Sequence, residues 1–147
     1  MVILVGSDAP PAPGAPEGPH AIVFYKVTCP TCQMAAPPME RFAQAYPGRI
    51  VGIGQDPPDK LQAFSATHGM SFPSMPDAPP YDVSNAYGIA HVPTVVVVDG
   101  GGAVADVVES WDREGLNRAS GRLAALVGAE PLPISEPGDG LPYFRPG

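Results

Sequence analysis

An α/β fold with a mixed central sheet flanked by helices is what this sequence predicts, on three observations. Strand-like and helix-like stretches alternate with short links from Ala21 to Gly69, the pattern of a right-handed β-α-β unit with parallel strands. Four consecutive valines from Val95 to Val98, then Asp99-Gly100-Gly101-Gly102 and another strand-like run, read as a buried hairpin. The only two cysteines, Cys29 and Cys32, stand where the first buried strand meets the first helix.

Taken in order, Met1 to Val5 reads as a short edge strand, and the run to Pro19 holds too much Pro and Gly for a helix. Ala21 to Lys26 is an apolar, β-branched run of the kind that fills a buried strand. Cys29 falls at the N-cap of the next helix, and Pro30 takes the first helical position, where a missing N–H costs nothing. The free N–H groups of Thr31 and Cys32 then point at the Cys29 sulfur. The positive end of the helix dipole favours a thiolate there, which makes Cys29 the attacking sulfur. Met34, Pro38, Phe42 and Ala45 or Tyr46 form one apolar face, with Pro37 and Pro38 expected to kink the helix without stopping it.

Arg49 to Gly54 is a second buried strand. Asp56-Pro57-Pro58-Asp59 opens a helix that runs through Leu61, Phe64 and Ala66 to a C-terminal Gly69. A proline-broken link from Met70 to Pro80 leads to a helical turn over Asp82 to Tyr87, stopped by Gly88. The valine strand, its hairpin partner Ala103 to Glu109, and a last helix capped by Asp112 and ended by Gly128 complete the order β-α-β-α-β-β-α. That helix places Leu116, Ala119, Leu123 and Leu126 on one face.

Composition sets the bounds. A chain of 147 residues supports one core. Five prolines between Gly6 and Pro19 and five more between Pro131 and Gly147 mark extended ends. The division is a Pro/Gly-rich lead at 1–17, a globular domain at 18–128 and a Pro-rich tail at 129–147. A net charge of −7 argues against nucleic acid or an anionic membrane as partner. No stretch is long and apolar enough to span a bilayer, and the apolar run at the start is too short for a signal peptide. The chain as given is therefore expected to be a cytoplasmic monomer, with an extracytoplasmic site open if a leader was removed.

The cysteines cannot staple the fold, because the loop they close is too short to matter to the unfolded chain. Their value is chemical. A zinc knuckle would need four ligands, and His20, His68 and His91 are unsuitably spaced to complete one, so no metal is expected.

With Phe24-Tyr25, Cys29-Pro30-Thr31-Cys32, Pro37, Tyr87-Gly88-Ile89 and Val92-Pro93-Thr94 in this order, the chain resembles the thioredoxin superfamily. Within it the likeness is to TlpA-like thiol–disulfide oxidoreductases, a redoxin branch related to peroxiredoxins. The resemblance implies a thioredoxin-like fold, with an insert between the first β-α-β unit and the strand opened by a cis proline, Pro93. It implies catalysis by Cys29 and Cys32, whose redox-active disulfide would be the only prosthetic feature. It also implies a substrate groove at His91, Val92 and Pro93, where backbone groups pair with an extended substrate segment. Lys26 and Thr31 are candidates for tuning the thiolate.

Two positions depart from the pattern. Val23 stands where plain thioredoxins have a buried aspartate, and Ala35 where TlpA-like reductants often have a glutamate. No carboxylate lies between His20 and Met39, so Cys32 must give its proton to water or to a group from elsewhere, with His91 the first candidate.

The function expected is dithiol–disulfide exchange on protein or small-molecule disulfides or dithiols. One alternative is a peroxiredoxin-like thiol peroxidase, although Ile22 and Lys26 occupy the proline and threonine positions of its Pro-x-x-x-Thr-x-x-Cys. Another is a non-catalytic adaptor that binds a partner through its Pro-rich ends and the groove beside Pro93; in the tail, Leu141-Pro142-Tyr143-Phe144 offers an apolar cluster to dock on the body or on a partner.

Overall fold

The computed structural model describes all 147 residues. A five-stranded sheet is built from β1 (His20–Tyr25), β2 (Ile50–Gly54), β3 (Ser74–Pro76), β4 (Thr94–Val98) and β5 (Val104–Glu109), in the order β3-β2-β1-β4-β5. β1, β2 and β3 run parallel, whereas β4 is antiparallel to both β1 and β5, so the sheet is mixed. β1 is buried along its whole length, which is why its sequence reads as a continuous apolar run without alternation.

The pleat still separates two cores. Ala21, Val23, Tyr25, Val95 and Val97 face helices α1 (Pro30–Ala45), α2 (Pro58–His68) and α4 (Arg113–Val127), among Met39, Phe42, Leu61, Phe64 and Leu123. Ile22, Phe24, Val96 and Val98 face the other way, onto Tyr87 and the N-terminal lead. Truncating Phe42 or Leu123 to alanine would cost about 3–5 kcal/mol, since each is almost fully enclosed.

Local signals set most boundaries. Cys29 caps α1, which runs on through Pro37 and Pro38. Asp112 caps α4 by accepting the Gly115 N–H, and Gly128 ends it at a φ of 71°, a left-handed conformation that favours glycine. Short α3 (Asp82–Ala86) precedes Gly88.

Several expectations are corrected. Met1 to Val5 form no strand. Ile3 N–H bonds Tyr87 O at 3.0 Å and Gly6 N–H bonds Val104 O at 2.8 Å, and a single bridge joins Asp8 to Ala103 before the prolines end the pairing. The proline-broken link from Met70 to Pro80 contains an edge strand, β3, that the sequence order β-α-β-α-β-β-α leaves out. Asp56 does not cap α2, whose N-cap is Pro57. Ala66 and Leu126 lie exposed, off the buried faces of their helices.

Both ends are mostly irregular, yet both lie on the body. Ile3, Ala9, Ala12 and Ala15 pack on the second core, and Tyr87 O–H donates to Pro10 O at 2.6 Å. After α4, Leu132 N–H bonds the Tyr46 hydroxyl at 2.9 Å, and Ile134 is buried. The chain then returns as β7 (Phe144–Arg145) to pair antiparallel with β6 (Trp111–Asp112). Trp111 is fully enclosed, as a packing residue should be.

Candidate active site

Strand directions assemble the site. The last residue of β1 in the β1–β4 ladder, Phe24, stands opposite Thr94, the first residue of antiparallel β4. The loop leaving β1 therefore meets the loop entering β4. Parallel β2 ends alongside β1, with Tyr25 paired to Gly54, so the loop leaving β2 arrives at the same edge. Cys29, Val92 and Asp56 come to this end of the sheet from three distant parts of the chain.

Cys29 is half-buried at the head of α1. Its turn is closed by its own N–H bonded to Lys26 O at 3.1 Å, and its carbonyl accepts Gln33 N–H at 3.0 Å, starting the helix. The sulfur accepts the Cys32 N–H at 3.2 Å and donates to Val92 O at 3.4 Å. Of the two N–H groups expected at this sulfur, that of Cys32 makes the bond. The N–H places partial positive charge beside the sulfur, as a helix start does for any anion.

Cys32 is only 3% exposed. Burial, above all, pushes its thiol well up from the ordinary range. The hydrogen bond and charge it shares with Cys29 and the negative charge of Asp56 act the same way, and the backbone of Lys26 opposes them. Both cysteines are free thiols, so this is the reduced dithiol.

The segment expected to line a groove, His91 to Pro93, is held on both flanks. The Val92–Pro93 peptide is cis, Val92 is half-buried and Pro93 is buried. Thr94 Oγ1 donates to His91 O at 2.6 Å on one side, and Ser110 N–H donates to Pro93 O at 2.8 Å on the other. His91 is exposed, and only its carbonyl is engaged. Lys26 directs its Nζ over the Tyr81 ring, 5.8 Å from the centroid. Thr31 is buried, and its hydroxyl donates to Pro146 O at 2.8 Å, so its side chain serves the C-terminal segment.

Asp56 belongs to this site although its sequence context reads as a helix cap. Its Oδ2 accepts Val27 N–H at 2.9 Å, which ties the β2 end to the loop carrying Cys29. Its charge raises both Cys32 and the buried Tyr25, whose phenol is pushed up mainly by burial. Its place directly after a strand parallel to β1 was the available signal. Nowhere do three His, Cys, Asp or Glu side chains gather into a metal-binding group.

Residues 15–107 match the model of the AhpC/TSA family. A curated relative, the thiol-disulfide oxidoreductase ResA of Halalkalibacterium halodurans, is 30% identical over 88 residues, 57% of this chain and 49% of that protein. The chain thus spans about half the length of that relative. A secreted Mycobacterium tuberculosis disulfide oxidoreductase homologous to Escherichia coli DsbE superposes with a TM-score of 0.62 at 26% identity, over 74% of this chain and 82% of that one. A Chlorobium tepidum protein assigned as thiol:disulfide interchange protein DsbE superposes with a TM-score of 0.73 at 19% identity, over 86% and 99% of the two chains, a likeness of fold. No helix here is long and apolar enough to cross a membrane. The expectation of a cytoplasmic chain gains no support from these relatives, since the mycobacterial one is secreted.

Proposed function

The chain belongs to the AhpC/TSA family, and on that footing we propose that it is a thiol–disulfide oxidoreductase in which Cys29 attacks and Cys32 resolves. One observation carries the reading. The half-buried Cys29 sulfur sits at a helix start, bonded to Cys32 N–H, and faces the Val92 carbonyl beside Pro93.

The Cys29 thiolate attacks one sulfur of a substrate disulfide. That S–S bond breaks, a mixed disulfide to Cys29 forms, and the departing thiolate takes a proton. Cys32 then gives its proton to solvent and attacks the Cys29 sulfur. The mixed bond breaks, a Cys29–Cys32 disulfide forms, and the second substrate sulfur leaves as a thiol. Two electrons pass from the chain to the substrate, and a dithiol donor returns them for the next cycle. Val92 offers its backbone to an extended substrate segment, and Pro93 shapes the floor beneath it. The same steps run in reverse, so reduction potentials set the direction.

The peroxidase alternative expects a hydroxyl three residues before the cysteine. Lys26 stands there, with its side chain drawn to Tyr81. The adaptor alternative is set apart by Cys29→Ser, which it expects to leave function intact; both ends lie against the body, although Tyr143 and Phe144 of the apolar cluster stay exposed.

The test is equilibration against glutathione or dithiothreitol with thiol counting, using Cys29→Ser as control. Loss of both thiols to one internal disulfide is expected, and none in the control. A potential below about −250 mV marks a reductant and one above about −150 mV an oxidant. If no disulfide forms, or peroxide is turned over while disulfides are not, the reading fails.

A further inference from the structure

The C-terminal segment does more than pack on the body. Trp111 Nε1 donates to Pro142 O at 2.7 Å and Arg113 N–H donates to Tyr143 O at 3.0 Å, after which β7 pairs with β6. The chain then runs beside the start of α1 and the Val92 loop. Thr31 Oγ1 donates to Pro146 O at 2.8 Å, and Gly147 N–H donates to Ser110 Oγ at 3.2 Å. Gly147 lies so close to Val92 that a Cβ placed on it would run into the Val92 carbonyl. That carbonyl oxygen is the one that accepts the Cys29 thiol.

We propose that Phe144–Gly147 is an intramolecular occupant of the groove beside Cys29, which shuts out polypeptide disulfides until it is displaced and leaves Cys29 open to small ones. The proposal rests on the oxidoreductase reading above. Three features support it. The segment takes the space against Val92 that an extended substrate would need, with a residue that has no side chain at the closest approach. Pro146 has no N–H to offer the Val92 backbone, and few polar contacts hold the segment beyond β7. Cys29 stays half-buried, within reach of a compact reagent. A tethered competitor lowers the apparent affinity of any polypeptide by the fraction of time the groove is open.

The test uses the full chain with Gly147→Ala, and Tyr143→Phe as a second variant that removes the Glu114 bond at the base of the segment, away from the cysteine motif. Three quantities are read: the rate with insulin as protein disulfide, the rate with 5,5′-dithiobis(2-nitrobenzoate) as small disulfide, and deuterium exchange of residues 143–147. Loosening the segment should speed its exchange and raise the insulin rate about tenfold, while the small-disulfide rate stays within about twofold. Faster exchange with an unchanged insulin rate, or equal gains on both disulfides, overturns the proposal, as does exchange unchanged in both variants. A wild-type chain inert to both disulfides would refute the oxidoreductase reading instead, and the exchange data would still report whether the segment is held in the groove.

Discussion

The surroundings of Cys29 and those of Cys32 differ in almost every respect that governs thiol chemistry, although one helical turn separates them. Cys29 sits at the start of α1, half-buried, with an N–H aimed at its sulfur and a carbonyl within reach of its proton. Cys32 lies inside the first turn among core residues, where burial and the neighbouring negative charges hold it as a thiol. On the proposed function the difference is a division of labour. A sulfur that must meet a substrate needs access and stabilised charge. One that must wait is better kept protonated until the mixed disulfide removes the charge on its neighbour.

Removing the waiting sulfur breaks that division most severely. Cys32→Ser should leave Cys29 able to attack once and then strand it. A stable mixed disulfide between Cys29 and insulin should be visible by intact-mass spectrometry. Turnover should fall by about three orders of magnitude or more, as when one member of a catalytic unit is lost. Undiminished turnover in this variant would mean that the two environments have no separate roles.

Much of this contrast is legible in the sequence because it is local. A buried strand running into Cys-Pro-Thr-Cys specifies the cap, the proline at the first helical position and the inward second cysteine within a few residues. Asp112, Gly128 and the valine hairpin are of the same kind. What escapes is non-local or weakly patterned. Strand β3 has three residues and a proline, too few for any period to emerge. Asp56 carries the local signature of a helix start, and only the parallel pairing of β1 and β2 brings it to the cysteine loop. The bond from Thr31 to Pro146 spans 115 positions and leaves no trace in either neighbourhood. Pro-rich ends resemble free tails in composition, whereas their docking is decided by shape and by single hydrogen bonds.

A smaller effect is expected from Asp56, whose negative charge adds to the forces holding the Cys32 proton. Asp56→Asn keeps an oxygen for Val27 N–H and removes the charge, so the Cys32 thiol titrates at lower pH. The thiolate fraction at neutral pH then rises, but nucleophilicity falls as the thiol becomes more acidic, which cancels roughly half of the gain on a logarithmic scale. The resolving step should quicken about two- to fivefold at pH 7, with its pH profile moved toward acid. Stopped-flow release of a mixed disulfide with a chromophoric thiol measures it. A slower resolving step in Asp56→Asn would instead make this carboxylate the acceptor of the Cys32 proton.

The smallest effect is expected at His91, and its smallness sharpens the contrast between the sulfurs. From sequence His91 is the first candidate to take the Cys32 proton, being two residues before Pro93. In the folded chain its imidazole is exposed while Cys32 is buried, and the bond that fixes its loop runs from Thr94 to its carbonyl. Alanine retains that carbonyl. His91→Ala should therefore keep both the attack by Cys29 and the resolving step within about twofold of wild type, since neither loses a bonded partner. Its resolving-step pH profile should superpose on that of the parent chain. If the profile instead lost an inflection in the range where histidine titrates, the buried thiol would be exchanging its proton with the exposed face of the loop. The groove edge, and not the helix start alone, would then govern when Cys32 attacks.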